Sequence, residues 1–285
     1  MAAHVVVGTD GSSSADAAVE WAADDAVRRG CVLRIVHVRE EWGRDAPAGF
    51  DDSLAEQARG VLDAAAELAR RHAPGVTVET SLEIGRAAEV LRREAEDAEQ
   101  VVVGSRGRGG FAGLLLGSVS LSLAGHVATP VVVLRGEGVR RAHDEIVVGF
   151  DGSPASEAAL EYAFQEAARR GARLRALHTW QLPFIAASAT AYTPLVEDIS
   201  EGERRLAAET LAPWQDKYPQ VELQETVLYG HPVLALGEAS ATADLVVVGS
   251  RGLGGLGSAV LGSVSHGVLH HADCPVAVVR ARGEG

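Results

Sequence analysis

The stretch "VVVGSRGRGGFAGLLLGSVS" spans Val101–Ser120, and "VVVGSRGLGGLGSAVLGSVS" spans Val246–Ser265. Fourteen of the twenty aligned positions are identical, so the chain carries one local design twice. Each stretch opens on a continuous apolar run, the pattern of a strand buried on both faces. A glycine-rich turn follows, and a segment of small residues able to start a helix closes it. Strand, glycine turn and helix in that order place the turn at the carboxyl end of a strand. That is where ligands bind in open α/β sheets.

The duplication extends outward in both directions, as a search for internal repeats requires. "VVVGTDGSSSADAAVEWAADDAVRRG" (Val5–Gly30) matches "IVVGFDGSPASEAALEYAFQEAARRG" (Ile146–Gly171) at an offset of 141, and "LRIVHV" matches "LRALHT" at the same offset. From Gly85 and Gly230 onward the offset is 145, a net insertion of four residues between the second strand and third helix of the second copy. The polar join "GEGVRRAHDE" places the boundary near Gly138–His143, giving domains 1–138 and 143–285. At 285 residues, two domains of about 140 are the expected size, each able to bury a core.

Each copy reads as alternating strand and helix. In the first, strands are expected at Val5–Gly8, Val32–Val38, Val76–Leu82, Val101–Gly104 and Pro130–Leu134. Helices are expected after a Ser12 or Ser13 cap, over Leu54–Arg71, over Ala87–Ala98 and over Gly117–Val127. The second copy follows suit from Glu145–Phe150 to Pro275–Val279. Right-handed crossovers make such a sheet parallel. Five strands per copy predict an α/β fold: two tandem Rossmann-like, doubly wound three-layer sandwiches.

The repeated loop has the form G-x2-G-x9-G-S: Gly104, Gly107, Gly117 and Ser118, then Gly249, Gly252, Gly262 and Ser263. Glycines allow positive φ and place no Cβ between backbone and ligand. Gly117-Ser118 opens a helix whose free N–H groups and dipole favour an anion. Arg106 and Arg108 add local positive charge; the second copy keeps Arg251 but has Leu253 opposite Arg108. The nine intervening residues are long enough to form a flap over a polyphosphate. A glycine-rich surface loop that binds nothing is the plain alternative, and its appearance twice in one context weighs against it. The loop is not a Walker A motif, which needs Gly-Lys-Ser/Thr. Nor is the first turn, "GTDGSS" or "GFDGSP", the G-x-G-x-x-G dinucleotide fingerprint.

Asp10 and Asp151 end the first strands. In a sheet ordered 3-2-1-4-5 the first and fourth strands are neighbours, so Asp10 faces Gly104 across the crevice. A carboxylate there can accept from a ribose hydroxyl or base amine, although "DGS" also supplies capping and turn residues.

These motifs, with the ending "H-x-x-x-P-V-x-V-V/L-R", resemble the universal stress protein family in its ATP-binding subgroup, and they do so in both copies, as in a tandem member. The resemblance implies a five-stranded parallel sheet of order 3-2-1-4-5, of the adenine nucleotide α-hydrolase-like type, with ATP and Mg²⁺ in the crevice and dimer contacts through the last strand. It places Gly8 and Asp10 at the ribose or adenine edge and Val38 against adenine. Gly104, Ser105, Arg106, Gly107, Arg108, Gly117, Ser118, Val119 and Ser120 hold ribose and phosphates. Matching positions in the second copy are Gly149, Asp151, Thr179, Gly249, Ser250, Arg251, Gly252, Gly262, Ser263, Val264 and Ser265. Thr179 replaces Val38 and Phe150 replaces Thr9, so the two sites need not bind equally.

Composition narrows the remaining classes. The formal net charge is −13 and Lys217 is the single lysine, a poor match for nucleic acid or an anionic membrane surface. Two cysteines, Cys31 and Cys274, face Ala172 and Thr129 in the repeat alignment, which argues against a disulfide framework and fits a reducing cytoplasm. The start "MAAHVVVGTDGSS" lacks the pattern of a signal peptide, and no apolar run reaches the ~18 residues of a membrane span. His266 and His270 stand four apart on one helix face, but the first copy has Leu121 and Gly125 there, and apart from Asp273 and Cys274 nearby no carboxylate or cysteine cluster accompanies them. His37 and His178 match between copies and suit a structural role at the strand end.

The expected function is therefore a cytoplasmic, nucleotide-gated stress-response regulator whose loops order around ATP and present a surface to a protein partner. The two halves are expected to pair antiparallel through "PVVVLR" and "PVAVVR", their otherwise open sheet edges. The rival is a slow ATPase or an adenylyl or phosphoryl transferase on the same scaffold; neither a lysine nor an obvious base stands in the motifs. A nucleotide-free dimerisation module is the third reading, disfavoured by two intact loops.

Overall fold

The computed structural model describes residues 3–39, 50–108, 116–135, 142–181, 193–253 and 261–281. These fall into two units: 1–140 with 275–278, and 141–274 with 279–285. The flap segments between the second and third motif glycines, and most of the join, lie outside the described residues.

The first unit begins with strand β1 (His4–Thr9), whose Val5, Val6 and Val7 are fully buried. Helix α1 (Ser13–Arg29) follows, capped by the Ser12 hydroxyl accepting from the Ala15 amide. It ends on Gly30 in the left-handed conformation (φ 65°), whose N–H reaches back to the last turn. Ala15, Ala18, Val19, Ala22, Ala23 and Ala26 form its buried stripe, the face predicted from helical spacing. Strand β2 (Val32–Arg39), helix α2 (Phe50–His72), strand β3 (Thr77–Ile84), helix α3 (Ala87–Ala95), strand β4 (Gln100–Gly104), helix α4 (Ser118–His126) and strand β5 (Val131–Leu134) complete the repeat. Helix α2 starts four residues earlier than expected. Helix α3 stops three earlier, because the Glu96 amide bonds to the Arg93 carbonyl in a tight final turn.

The strand order is β3-β2-β1-β4-β5, as the family resemblance implies, and all pairs are parallel, as the alternation of strand and helix predicts. The unit's sheet continues into β10 (Val276–Val279), which runs antiparallel to β5 with Val276 opposite Val133 and Val278 opposite Val131. The otherwise open edge of β5 is thereby paired.

The second unit repeats the plan. Strand β6 (Glu145–Gly149), helix α5 (Pro154–Arg170), strand β7 (Arg173–Trp180), helix α6 (Thr193–Lys217), strand β8 (Leu223–Tyr229), helix α7 (Pro232–Ser240), strand β9 (Leu245–Gly249) and helix α8 (Ser263–His271) follow in order. The strands lie β8-β7-β6-β9, again parallel. Helix α5 has the same cap, with Ser153 at the N-terminus, Pro154 in the first turn and Gly171 (φ 62°) at the end. The four-residue insertion falls between β7 and the end of α6, since every later element keeps the offset of 145.

Candidate functional site

The carboxyl ends of β1, β2 and β4 leave a cavity of about 510 Å³ in the first unit. Its walls are apolar on one side, with Val36, Val38, Ala87, Leu91 and Val103. On the other side they are glycine-rich and polar, with Asp10, Gly104, Arg106, Gly107 and the Gly117–Ser120 turn. Apolar and anion-binding ends thus share one cleft, the arrangement a nucleotide needs.

Three joints build the polar end: strand β4 against α1, Asp10 against the loop, and the loop's two ends against each other. Gly104 lies so close to α1 that a Cβ there would stand 2.7 Å from the Ser14 carbonyl carbon and oxygen. The strand end is therefore jammed against the first turn of α1, and only glycine fits. The Ser14 hydroxyl in turn accepts from the Arg106 amide at 3.4 Å. Beyond it, the Asp10 carboxylate gathers two segments: Oδ1 accepts from the Ser12 amide (3.0 Å) and Oδ2 from the Arg108 amide (2.7 Å). A Cβ on Gly107 would sit 2.5 Å from Oδ2, so the second motif glycine makes room for this carboxylate. Finally, the Gly117 amide donates to the Ser105 carbonyl (2.7 Å) and the Ser120 hydroxyl to the Gly104 carbonyl (2.8 Å). These bonds fold the loop's two ends together and aim the start of α4 into the cleft. Gly117 is the N-cap and has no side chain to satisfy the first-turn amides. Those amides and the helix dipole have the chemistry of an anion seat, with the exposed Ser118 hydroxyl beside them.

The second copy has the same joints. Asp151 Oδ1 accepts from the Ser153 amide and Oδ2 from the Leu253 amide, both at 3.0 Å. A Cβ on Gly252 would stand 2.4 Å from that Oδ2, and one on Gly249 2.8 Å from the Ala155 carbonyl carbon. The Gly262 amide donates to the Ser250 carbonyl (2.7 Å). The Ser265 hydroxyl lies 3.0 Å from both the Ser250 and Gly262 carbonyls, and Gly262 caps α8 without a side chain. Burial alone would raise the Asp151 carboxyl. The Ser153 hydroxyl and the Ser153 and Leu253 amides outweigh it and hold its pKa below the ordinary carboxylate value.

Of the residues predicted for the first site, Gly8, Asp10, Val38, Gly104, Arg106, Gly107, Gly117, Ser118, Val119 and Ser120 line the cavity. Ser105 is buried in the loop root, and Arg108 flanks the turn through its amide. Ser120 and Ser265 spend their hydroxyls on loop carbonyls. His37 Nδ1 meets the Thr9 carbonyl at 2.7 Å. His178 Nδ1 meets the Phe150 carbonyl at 3.0 Å, and its Nε2 meets Glu203 at 3.0 Å. Both histidines thus tie the second strand to the first beside the site. Sequence reasoning passed over Val36, Ala87 and Leu91. Val36 was within reach, since it shares a strand face with Val38 two residues on. Neither Cys31 nor Cys274 is in a disulfide. Among the described residues no group of three His, Cys, Asp or Glu side chains is placed to hold a metal. No helix among them is long and apolar enough to cross a membrane.

The profile of the universal stress protein family matches the chain twice, over residues 1–135 and 143–280. A universal stress protein of Mycolicibacterium smegmatis is 39% identical over 295 residues, covering 98% of this chain and 97% of the relative. One from Mycobacterium tuberculosis is 39% identical over 293 residues, covering 97% and 96%. Among solved structures, a universal stress protein from Archaeoglobus fulgidus superposes with a TM-score of 0.70 at 23% identity, over 99% of this chain and 97% of that one. That likeness extends the fold to the full length of both repeats.

Proposed function

Since the chain belongs to the universal stress protein family in tandem form, we propose that it binds ATP and acts as a nucleotide-gated regulator. One observation carries the reading: the 510 Å³ cleft joins an apolar pocket at Val36 and Val38 to an anion seat at Gly117–Ser120. Purine and phosphates require those two surfaces at opposite ends. The backbone is cut to fit, because a Cβ at Gly104 or Gly107 would collide with the groups that shape the seat. Mg²⁺ would travel with the phosphates, which supply the hard oxygen ligands it prefers.

The chain's own groups have separate duties in this reading. Val38 and Val36 cover the base. The α4 amides, Ser118 and Arg106 neutralise phosphate charge. Asp10 fixes the loop through its two amide bonds, and its oxygens keep acceptor capacity for a sugar hydroxyl. Occupancy would select one arrangement of the loop and so alter a surface seen by a protein partner.

Calorimetric titration of the full chain with Mg-ATP tests this. Binding should approach two per chain at saturation. Gly117→Glu together with Gly262→Glu sets a carboxylate in each anion seat and should abolish it, while thermal unfolding stays cooperative. ATP retained by a folded double variant would defeat the assignment.

A further inference from the structure

The two anion seats are built on the same joints but end in different side chains, and the difference is one of charge. In each repeat the backbone amide of the residue after the second motif glycine is clamped by the first-strand aspartate: Arg108 by Asp10, Leu253 by Asp151. The clamp fixes where the side chain leaves the loop. In the first repeat that side chain is a guanidinium. Its Nη1 reaches the turn that follows the cleft-lining Asp10, 3.8 Å from where a Cβ on Gly11 would lie. In the second repeat it is a leucine, 74% exposed, and nothing approaches Gly152 within 4 Å. The second repeat keeps a single loop cation, Arg251. It is half-buried, and its Nε, like the Ser250 hydroxyl, has no partner among the described residues. The first loop thus carries two cations, Arg106 lining the cleft and Arg108 beside it, and the second carries one, with two buried polar atoms unsatisfied among the described residues.

We propose that the two sites of one chain divide ligands by charge: the first is selective for highly charged polyphosphates, the second holds ligands with fewer phosphates, and Arg108 against Leu253 sets the difference. The proposal rests on the nucleotide reading above and deepens it. Differences at the base end, such as Val36 against Leu177 or Val38 against Thr179, change size and polarity. They act equally on ATP and AMP, which share a base. The ratio of the two affinities therefore isolates the phosphate end.

The test reads that ratio at each site of the full-length chain, in EDTA so that the triphosphate keeps its full charge. Gly262→Glu leaves the first site to be measured, and Gly117→Glu the second. The preference for ATP over AMP should be greater at the first site. Arg108→Leu should lower it there by about 3–10-fold at low salt, and Leu253→Arg should raise it at the second by a similar factor. A gain of selectivity in Leu253→Arg cannot come from misfolding. Both effects should shrink at 1 M salt, where charges are screened beyond about 3 Å. Equal ratios at the two sites, or ratios that neither substitution moves, would overturn the inference. The same proteins titrated with inorganic tripolyphosphate and inorganic phosphate keep the two readings apart. If nucleotides fail to bind but tripolyphosphate still discriminates between the sites, the ATP reading falls and the charge division stands. If neither probe discriminates, the charge division falls.

Discussion

At the scale of single residues, the first-strand aspartates hold the site together before any ligand arrives. Asp10 and Asp151 each spend both carboxylate oxygens on backbone amides from two segments far apart in sequence. Such charge-assisted bonds contribute about 1.5–3 kcal/mol each where solvent is excluded and less where it is not. The depressed pKa of Asp151 gives this a pH signature. A carboxyl held below its unfolded value of 3.8 adds stability that is fully present above that pH and is lost as pH falls through the lower, folded value. Asp151→Asn should therefore be less stable than the parent at pH 7, by roughly 1–2 kcal/mol. The gap should close as the pH is taken below about 4. Urea denaturation across pH 2–7 reads both effects; a gap that persists unchanged at pH 2 would mean the carboxylate charge is not what the amides hold. Sequence identified both aspartates and placed them opposite the glycine loop. It did not show that their partners are the Arg108 and Leu253 amides, because backbone donors leave no mark in a sequence.

At the scale of elements, the repeat did most of the predictive work. Strand ends, the Ser12 cap and the alanine face of α1 were legible, since each follows from periodicity or capping chemistry that a second copy restates, whereas the sheet order came from the family resemblance. What stayed hidden are contacts between elements. Asp25 is 1% exposed on α1, receiving Arg29 Nε at 2.6 Å and the Gln100 amide of β4 at 3.0 Å. Nothing in the string "DDAVRR" taken alone marks Asp25 as a buried partner of β4. Pro213 lies inside α6 although it lacks the N–H a helix needs, so tertiary packing overrides its local preference there. The motif glycines divide the same way: spacing revealed them, but only packing says which are indispensable. A Cβ on Gly104 would meet the Ser14 backbone, which cannot step aside without moving α1. A Cβ on Gly8 would meet side-chain methyls, the Leu91 Cδ1 at 2.8 Å and Cδ2 at 3.3 Å and the Val103 Cγ1 at 3.4 Å, the closest being the far end of a flexible side chain. Gly104→Ala should thus cost about 2–3 kcal/mol and Gly8→Ala about 1 kcal/mol or less, following the general cost of overpacking. Chemical denaturation of the two variants side by side decides it; equal costs would show that α1 is free to shift. Strand β5 offers a parallel case. Val132 pairs with Val102 on one side and Ala277 on the other. Val132→Pro removes a ladder donor from a strand with neighbours on both edges and should cost about 3 kcal/mol or more in thermal unfolding.

At the scale of the whole molecule, the question is whether a bound nucleotide would be consumed or merely held. The chain is acidic, with a net charge of −13, so the positive potential needed for phosphate is local to amides, dipole and a few arginines. Those groups stabilise the charge already present in the bound state. Catalysis demands interactions stronger in the transition state than in the ground state. Phosphoryl transfer also gains from a positioned base and extra cations at the γ-phosphate. Among the described residues, the titratable side chains lining the cleft are Asp10 and Arg106. Asp10 is already clamped to the Ser12 and Arg108 amides, and withdrawing it to serve as a base would release the loop. His37 is turned to the Thr9 carbonyl. On the proposed reading, a site built this way would retain its nucleotide, and retention would suit a regulator whose occupancy is the signal. Multiple-turnover release of phosphate from the pure protein should accordingly run well below the ~1–10³ s⁻¹ usual for enzymes. Turnover above roughly 1 s⁻¹ that disappears in the Gly117→Glu, Gly262→Glu chain would show that the cleft does chemistry, and the regulator reading would give way to that of an ATPase or nucleotidyl transferase. Slow release at a rate unaffected by those two substitutions would assign the residual activity to another source and leave the cleft a holder of nucleotide.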